Sequence, residues 1–96
     1  MKHYLTPVEV LERLIGPFSV LAPIAGLDEK SLYGWKRESA IRQAGDLPSA
    51  NIMRKFLKHA RRTKLPLKPE WLIEGAKADE VIRLQEQLQN HKVAAE

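Results

Sequence analysis

Helical spacing of apolar residues recurs along this chain, while the alternation that a strand needs is almost absent. No stretch of four or more residues switches convincingly between apolar and polar positions with β-branched enrichment. Breakers then cut the helical pattern into short pieces: Gly16-Pro17, Gly26, Gly45 with Pro48, Pro66 with Pro69, and Gly75. A chain divided in this way must bury its apolar stripes by packing several short helices together. The expected fold class is all-α: a small bundle of about five helices followed by a C-terminal amphipathic helix. At 96 residues the chain suffices for one small domain with a modest core.

The punctuation places each helix. Thr6 is a good N-cap, Pro7 suits the first helical position and Glu9 stands three residues after the cap, the pattern of a capping box. Val8, Leu11, Leu14 and Ile15 then form one apolar face. A second helix is expected from Phe18 to Ala25, stopped by Gly26. Pro23 lies inside it, which demands a helix that is short or kinked. Asp28 caps a third helix reaching Arg37. Glu38 to Pro48 reads as a loop, with room for a short helical turn around Ser39 to Ala44. Ser49 or Asp46 opens a fourth helix that runs through Arg62, with Ile52, Met53, Phe56, Leu57 and Ala60 facing the core. Leu65 to Pro69 is an extended connector, and Glu70 to Glu74 a short fifth helix. The last segment, Lys77 to about His91, carries Val81, Leu84 and Leu88 on one side. The expected organisation is a DNA-binding unit over residues 1–75 and a helical extension over 76–96.

The net charge of +4 is mild, but its distribution is not even. Residues 1–27 sum to zero. Residues 28–64 hold ten bases against four acids and reach +6, and no acid falls between Asp46 and Glu70. Residues 70–96 return to −3. A basic centre with an acidic tail is the balance expected of a polyanion-binding domain with a separate C-terminal element. Other classes fare poorly. Without cysteine there is neither a disulfide framework nor a thiolate metal site, which fits a reducing cytosol. No apolar run is long enough to span a membrane, and Met1 to Leu5 lacks the pattern of a signal peptide. There is no phosphate-binding glycine loop and no catalytic pairing of Ser and His. Glu9 with Glu12 and Asp79 with Glu80 read as helix-surface carboxylates. His3, His59 and His91 are too far apart to serve as a ligand set. The expectation is a cytoplasmic, nucleoid-associated protein that is not an enzyme and uses no cofactor or metal.

The informative stretch is Phe18 to Arg37. Two helices that cross at a sharp angle need a small residue at the crossing, and Ala22 is there. The turn needs a residue that tolerates positive φ, and Gly26 follows four positions later. Leu27 is placed to plug the angle from the turn. Leu32 and Trp35 point back into the core. Glu29, Lys30, Ser31, Tyr33, Gly34, Lys36 and Arg37 are left to face outward. These positions, in particular Leu21-Ala22, Gly26-Leu27 and Leu32-Tyr33-Gly34-Trp35-Lys36-Arg37, resemble the lambda-repressor-like, Cro/CI-type helix-turn-helix family of phage and bacterial regulators. The Leu47-Pro48 helix entry and the run from Leu65 to Ile73 are similar to the later part of such domains.

The resemblance implies a sequence-specific transcriptional regulator whose helix Asp28 to Arg37 lies in the major groove of double-stranded DNA. Glu29, Lys30, Ser31, Tyr33 and Gly34 would read bases. Lys30 has the chemistry for guanine O6 and N7, Glu29 for cytosine N4. Lys36, Arg37, Arg42, Arg54, Lys55, Lys58, Arg61 and Arg62 would hold phosphates, which set register and salt-dependent affinity. Val81, Leu84 and Leu88 offer a homodimer contact or a site for a protein partner, although the segment is barely two heptads long and also suits folding back on the domain. Trp71 is expected as a core plug. Two further roles stay open. A helix-turn-helix also serves in antitoxins and in the DNA-recognition subunits of phage packaging machines. A helical protein-interaction module without DNA binding would use the C-terminal helix alone.

Overall fold

The computed structural model describes residues 3–95, with side chains placed over residues 3–89. Among the described residues the chain forms six helices and one minimal sheet: β1 (Tyr4–Leu5), α1 (Pro7–Leu14), α2 (Phe18–Ala25), α3 (Glu29–Gly34), α4 (Ala50–Arg62), α5 (Pro69–Glu74), β2 (Ala76–Lys77) and α6 (Ala78–Ala95). The helix starts follow their caps. The Thr6 side chain accepts from the Glu9 N–H while the Glu9 carboxylate accepts from the Thr6 N–H at 3.0 Å, closing the capping box of α1. The Asp28 and Ser49 side chains likewise accept from the N–H groups of Ser31 and Ile52. Gly26 takes the left-handed conformation, φ 73° and ψ 29°, and stops α2 after eight residues with Pro23 on its exposed side.

One core joins all of these elements. Leu5, Val8, Val10, Leu11, Leu21, Leu32, Trp35, Phe56, Trp71, Leu72, Ala76 and Val81 are buried together. α1 sits at its centre and packs on α2, α5 and α6. That explains why Val10 is buried as fully as Leu11, whereas Leu14 and Ile15 are half-buried: a helix with neighbours on several sides uses more than one apolar stripe. In α4, Ile52, Phe56 and Ala60 are buried and Met53 and Leu57 partly so. Trp71 is in the core, as its place in the sequence implied.

The third helix ends at Gly34 and does not reach Arg37, because the N–H groups of Trp35, Lys36 and Arg37 donate to carbonyls three residues back. Three further expectations of local structure are corrected. The strands were unexpected: β1 and β2 pair antiparallel, Tyr4 with Lys77 and Leu5 with Ala76. A ladder of two residues on each side is too short to leave an alternating pattern. Gly75, at φ 83°, makes the pairing feasible, because a Cβ there would collide with the Leu5 carbonyl oxygen. Second, no helical turn fills the segment after α3; Ser39 and Arg42 instead form an antiparallel bridge around a tight turn. Third, Leu27 does not plug the angle between α2 and α3 but is 40% exposed. The left-handed backbone at Gly26 carries Leu27 outward, its N–H donating to the Ala22 carbonyl at 3.0 Å, and Ala25 and Leu32 fill the interior instead.

The C-terminal helix folds back on the domain. Gln85 Nε2 donates to the Arg13 carbonyl at 2.9 Å, Leu84 packs on the core, and Leu88 lines a cleft with Leu14, Ile15 and His59. Val81 is fully buried, so it is a core residue and not a surface for a second copy. With Ala76 and Val81 inside the common core, the division after residue 75 does not mark off a separate packing unit. α6 includes position 91, but the side chain of His91 lies outside the described ones.

Candidate nucleic-acid interface

The helix α3 is six residues long and contributes one buried side chain, Leu32. An isolated helix of that length is unstable in water, so its neighbours hold it in place. At its start, the Asp28 carboxylate accepts from the Ser31 hydroxyl at 2.7 Å and from the Ser31 N–H at 3.0 Å. These hydrogen bonds, the hydroxyl first, hold the Asp28 carboxyl below its ordinary value of 3.8. The cap is therefore ionised, and it loses its acceptor only in acid. At the other end, Trp35 is buried edge-on to Phe56, and Arg42 Nη2 donates to the Gly34 carbonyl at 3.2 Å.

With its inner side fixed, α3 presents Glu29, Lys30, Ser31 and Tyr33 to solvent. Tyr33 is 56% exposed, but its ring is not loose: it meets the Phe18 ring edge to face at 4.8 Å between centroids. Gly34 is half-buried, and a Cβ added there would meet nothing within 4 Å. The fold itself therefore does not require glycine at that position. The Ser31 hydroxyl is spent on Asp28, which makes Ser31 part of the cap as well as of the outward face.

The expected phosphate residues divide into two groups. Arg37, Arg54, Lys58, Arg61 and Arg62 are exposed, with no side-chain hydrogen bond or ion pair among the described contacts. Three others have protein partners. Lys36 Nζ lies 3.2 Å from Glu12 Oε1 and 5.0 Å from the centre of the Phe18 ring. Lys55 Nζ donates to the Ala25 carbonyl at 3.1 Å, which ties α4 to the end of α2. Arg42 turns inward onto Gly34, and its Nη1 is buried without a partner. Sequence reasoning gave all three to phosphates because it could not see which carbonyls and carboxylates the fold brings near. It also missed Phe18 and Glu12, which orient Tyr33 and Lys36.

The basic side of α4 borders the turn that leads into α3. Lys55, Lys58, His59 and Arg62 line a shallow cleft with Pro23 and Ile24 of α2, and no carboxylate lines it. Among the described residues no group of His, Asp and Glu could hold a metal ion, and no helix is long and apolar enough to cross a membrane. No family model matches the chain, and neither do curated proteins or solved structures.

Proposed function

We propose that this chain is a sequence-specific DNA-binding regulator of the phage and bacterial Cro/CI type, in which α2, the turn at Gly26 and α3 act as a helix-turn-helix. The observation that carries this reading is the division of labour in α3. Leu32 is the one buried side chain, and Glu29, Lys30, Ser31 and Tyr33 are left exposed. In a major groove, Lys30 and Glu29 would read bases from the N-terminal turn, Tyr33 would add a contact steadied by Phe18, and Gly34 would let a backbone come close. Arg37, Arg54, Lys58, Arg61 and Arg62 supply phosphate contacts. The protein is then a nucleoid-associated homodimer in the cytoplasm with no catalytic role. Its dimer contact cannot include Val81.

The test is selection from a random duplex library by the purified protein, repeated with Lys30→Ala. Enrichment of a palindromic site is expected. The variant should relax the preference at one position per half-site, since a good bidentate base contact discriminates by about 1–3 kcal/mol. No enriched site for the wild type would sink the reading; an unchanged preference in the variant would remove Lys30 from the reading set.

A further inference from the structure

Lys58 stands at the centre of a run of like charges. Arg54, Lys55, Arg61 and Arg62 lie three or four positions from it along α4, and no acid occurs in that helix. Like charges one helical turn apart repel each other, whereas opposite charges at that spacing stabilise a helix. Helix stability therefore does not explain the run. The negative end of the α4 dipole favours bases only in the last turn, from His59 onward. The carbonyls there are already taken: those of His59, Ala60 and Arg61 accept from the N–H groups of Thr63, Leu65 and Lys64, and the Thr63 hydroxyl adds a second donor to His59 at 3.0 Å. The side chains of Lys58, His59 and Arg62 make no hydrogen bond or ion pair among the described contacts.

The fold gives these side chains an opposite wall. With Lys55 they line a cleft against Pro23 and Ile24 of α2, and no carboxylate lines it. The C-terminal end of α2, which would repel an anion, is closed off. The Ala22 and Pro23 carbonyls accept from the Gly26 N–H, and the Ala25 carbonyl accepts from Lys55 Nζ at 3.1 Å. His59 is half-buried and also borders a second cleft, in which Lys64 is the one other charged residue. Lys58 and Arg62, one turn apart, are thus left with their donors uncommitted beside an imidazole and an apolar wall.

We propose that the cleft between α2 and α4 is a seat for one phosphate group, clamped by Lys58 and Arg62 with His59 as a third donor. A tetrahedral phosphate presents several oxygens around one centre, so an ammonium, a guanidinium and an imidazole can bind it together. A duplex backbone and a free phosphorylated small molecule both offer that group, so the seat does not depend on α3 reading DNA. Arg54 and Arg61 carry the same charge but do not line the cleft, and this phosphate is not theirs.

The experiment follows the His59 ring signals of the full chain by NMR as sodium phosphate is added at fixed pH, with sodium chloride at matched ionic strength as the reference. Two double variants remove equal charge from exposed positions: Lys58→Gln with Arg62→Gln inside the cleft, and Arg54→Gln with Arg61→Gln outside it. Both should melt with the wild type. Phosphate should saturate the shift in the wild type and the outer variant, and bind the inner variant at least about tenfold more weakly, the worth of one charged hydrogen bond. The absence of a saturable shift beyond that of chloride overturns the proposal, and so does equal weakening of the two variants. A random-sequence duplex then identifies the source. If it moves the same signals and is displaced by phosphate, a backbone phosphate fills the seat. If it leaves them in place while phosphate moves them, the ligand is a free phosphorylated molecule. A chain that binds phosphate in the cleft but no duplex anywhere keeps the seat and loses the DNA-binding reading.

Discussion

α3 and α6 use their lengths in opposite ways. α6 extends from Ala78 to Ala95, yet three of its apolar side chains are turned to its own domain: Val81 inside the core, Leu84 against it and Leu88 over the cleft beside α1. α3 spans six residues and buries only Leu32. In the sequence the long helix suits either a partner or its own domain, and the short one offers an outward face. The packing turns Val81, Leu84 and Leu88 to the domain and leaves the outward face of α3 exposed. A helix that must hold itself against a domain uses its apolar side for that purpose. A helix gripped at both ends, by Asp28 and by Arg42 with Trp35 behind it, keeps its outward side free for another molecule.

The comparison breaks most sharply at its single anchor. Leu32→Ala should cost about 2–5 kcal/mol, because Leu32 is fully buried and α3 has no other residue to fill the space. Small domains have only about 5–15 kcal/mol in total, so the variant should unfold at clearly lower urea and lose DNA affinity even where it remains folded. Val81→Ala in α6 is the control. It should lower the urea midpoint by less and leave affinity for the selected duplex at the wild-type value wherever the protein is folded. Equal loss of affinity in the two variants would show that the surface of α3 depends on α6 after all.

A smaller effect is expected on the exposed basic face of α4. Arg61 and Arg62 are exposed and, among the described contacts, free of ion pairs, so truncating both to Ala should leave the fold intact. Affinity should fall for all sequences alike, and the slope of log affinity against log salt should flatten by about two. An unchanged slope would make this a solvated helix face and confine the interface to α3 and its flanking turn. The same double change tested with Lys36 or Lys55 should be weaker per residue, since Glu12 and the Ala25 carbonyl already hold those two ammonium groups.

What could be read from the sequence follows the range of each interaction. The caps at Thr6, Asp28 and Ser49, the stop at Gly26 and the burial of Leu32, Trp35, Phe56 and Trp71 depend on neighbours within a few residues or on plain hydrophobicity, and they were legible. The pairing of Tyr4 with Lys77 was not, because it joins the two ends of the domain over two residues per strand. Leu27 was misplaced for a different reason: the left-handed backbone at Gly26 was legible, but which way the next side chain then points depends on how α2 and α3 pack. In the candidate site the exposed face of α3 was readable from helical spacing. The inward turn of Arg42 and the ties of Lys36 and Lys55 depend on carbonyls and a carboxylate brought close only by the fold.

The smallest effect is the one that best separates folding from binding on α3. Glycine inside a helix is less favourable than alanine by roughly 0.5–1 kcal/mol, since it gives up more backbone freedom on folding. At Gly34 the backbone is not in the left-handed region, and an added Cβ points into open space. Gly34→Ala should therefore raise stability slightly, by up to that amount, in urea denaturation. If the space above Gly34 is where a DNA strand or base edge comes close, the same methyl group should weaken binding to the selected duplex, and the two effects would run in opposite directions. Higher stability with undiminished affinity would show that nothing approaches Gly34, and would shift the reading surface toward Glu29 and Lys30 at the other end of the helix. Lower stability would mean that the glycine serves the Arg42 contact at its carbonyl, and the argument from open space would fail at its first step.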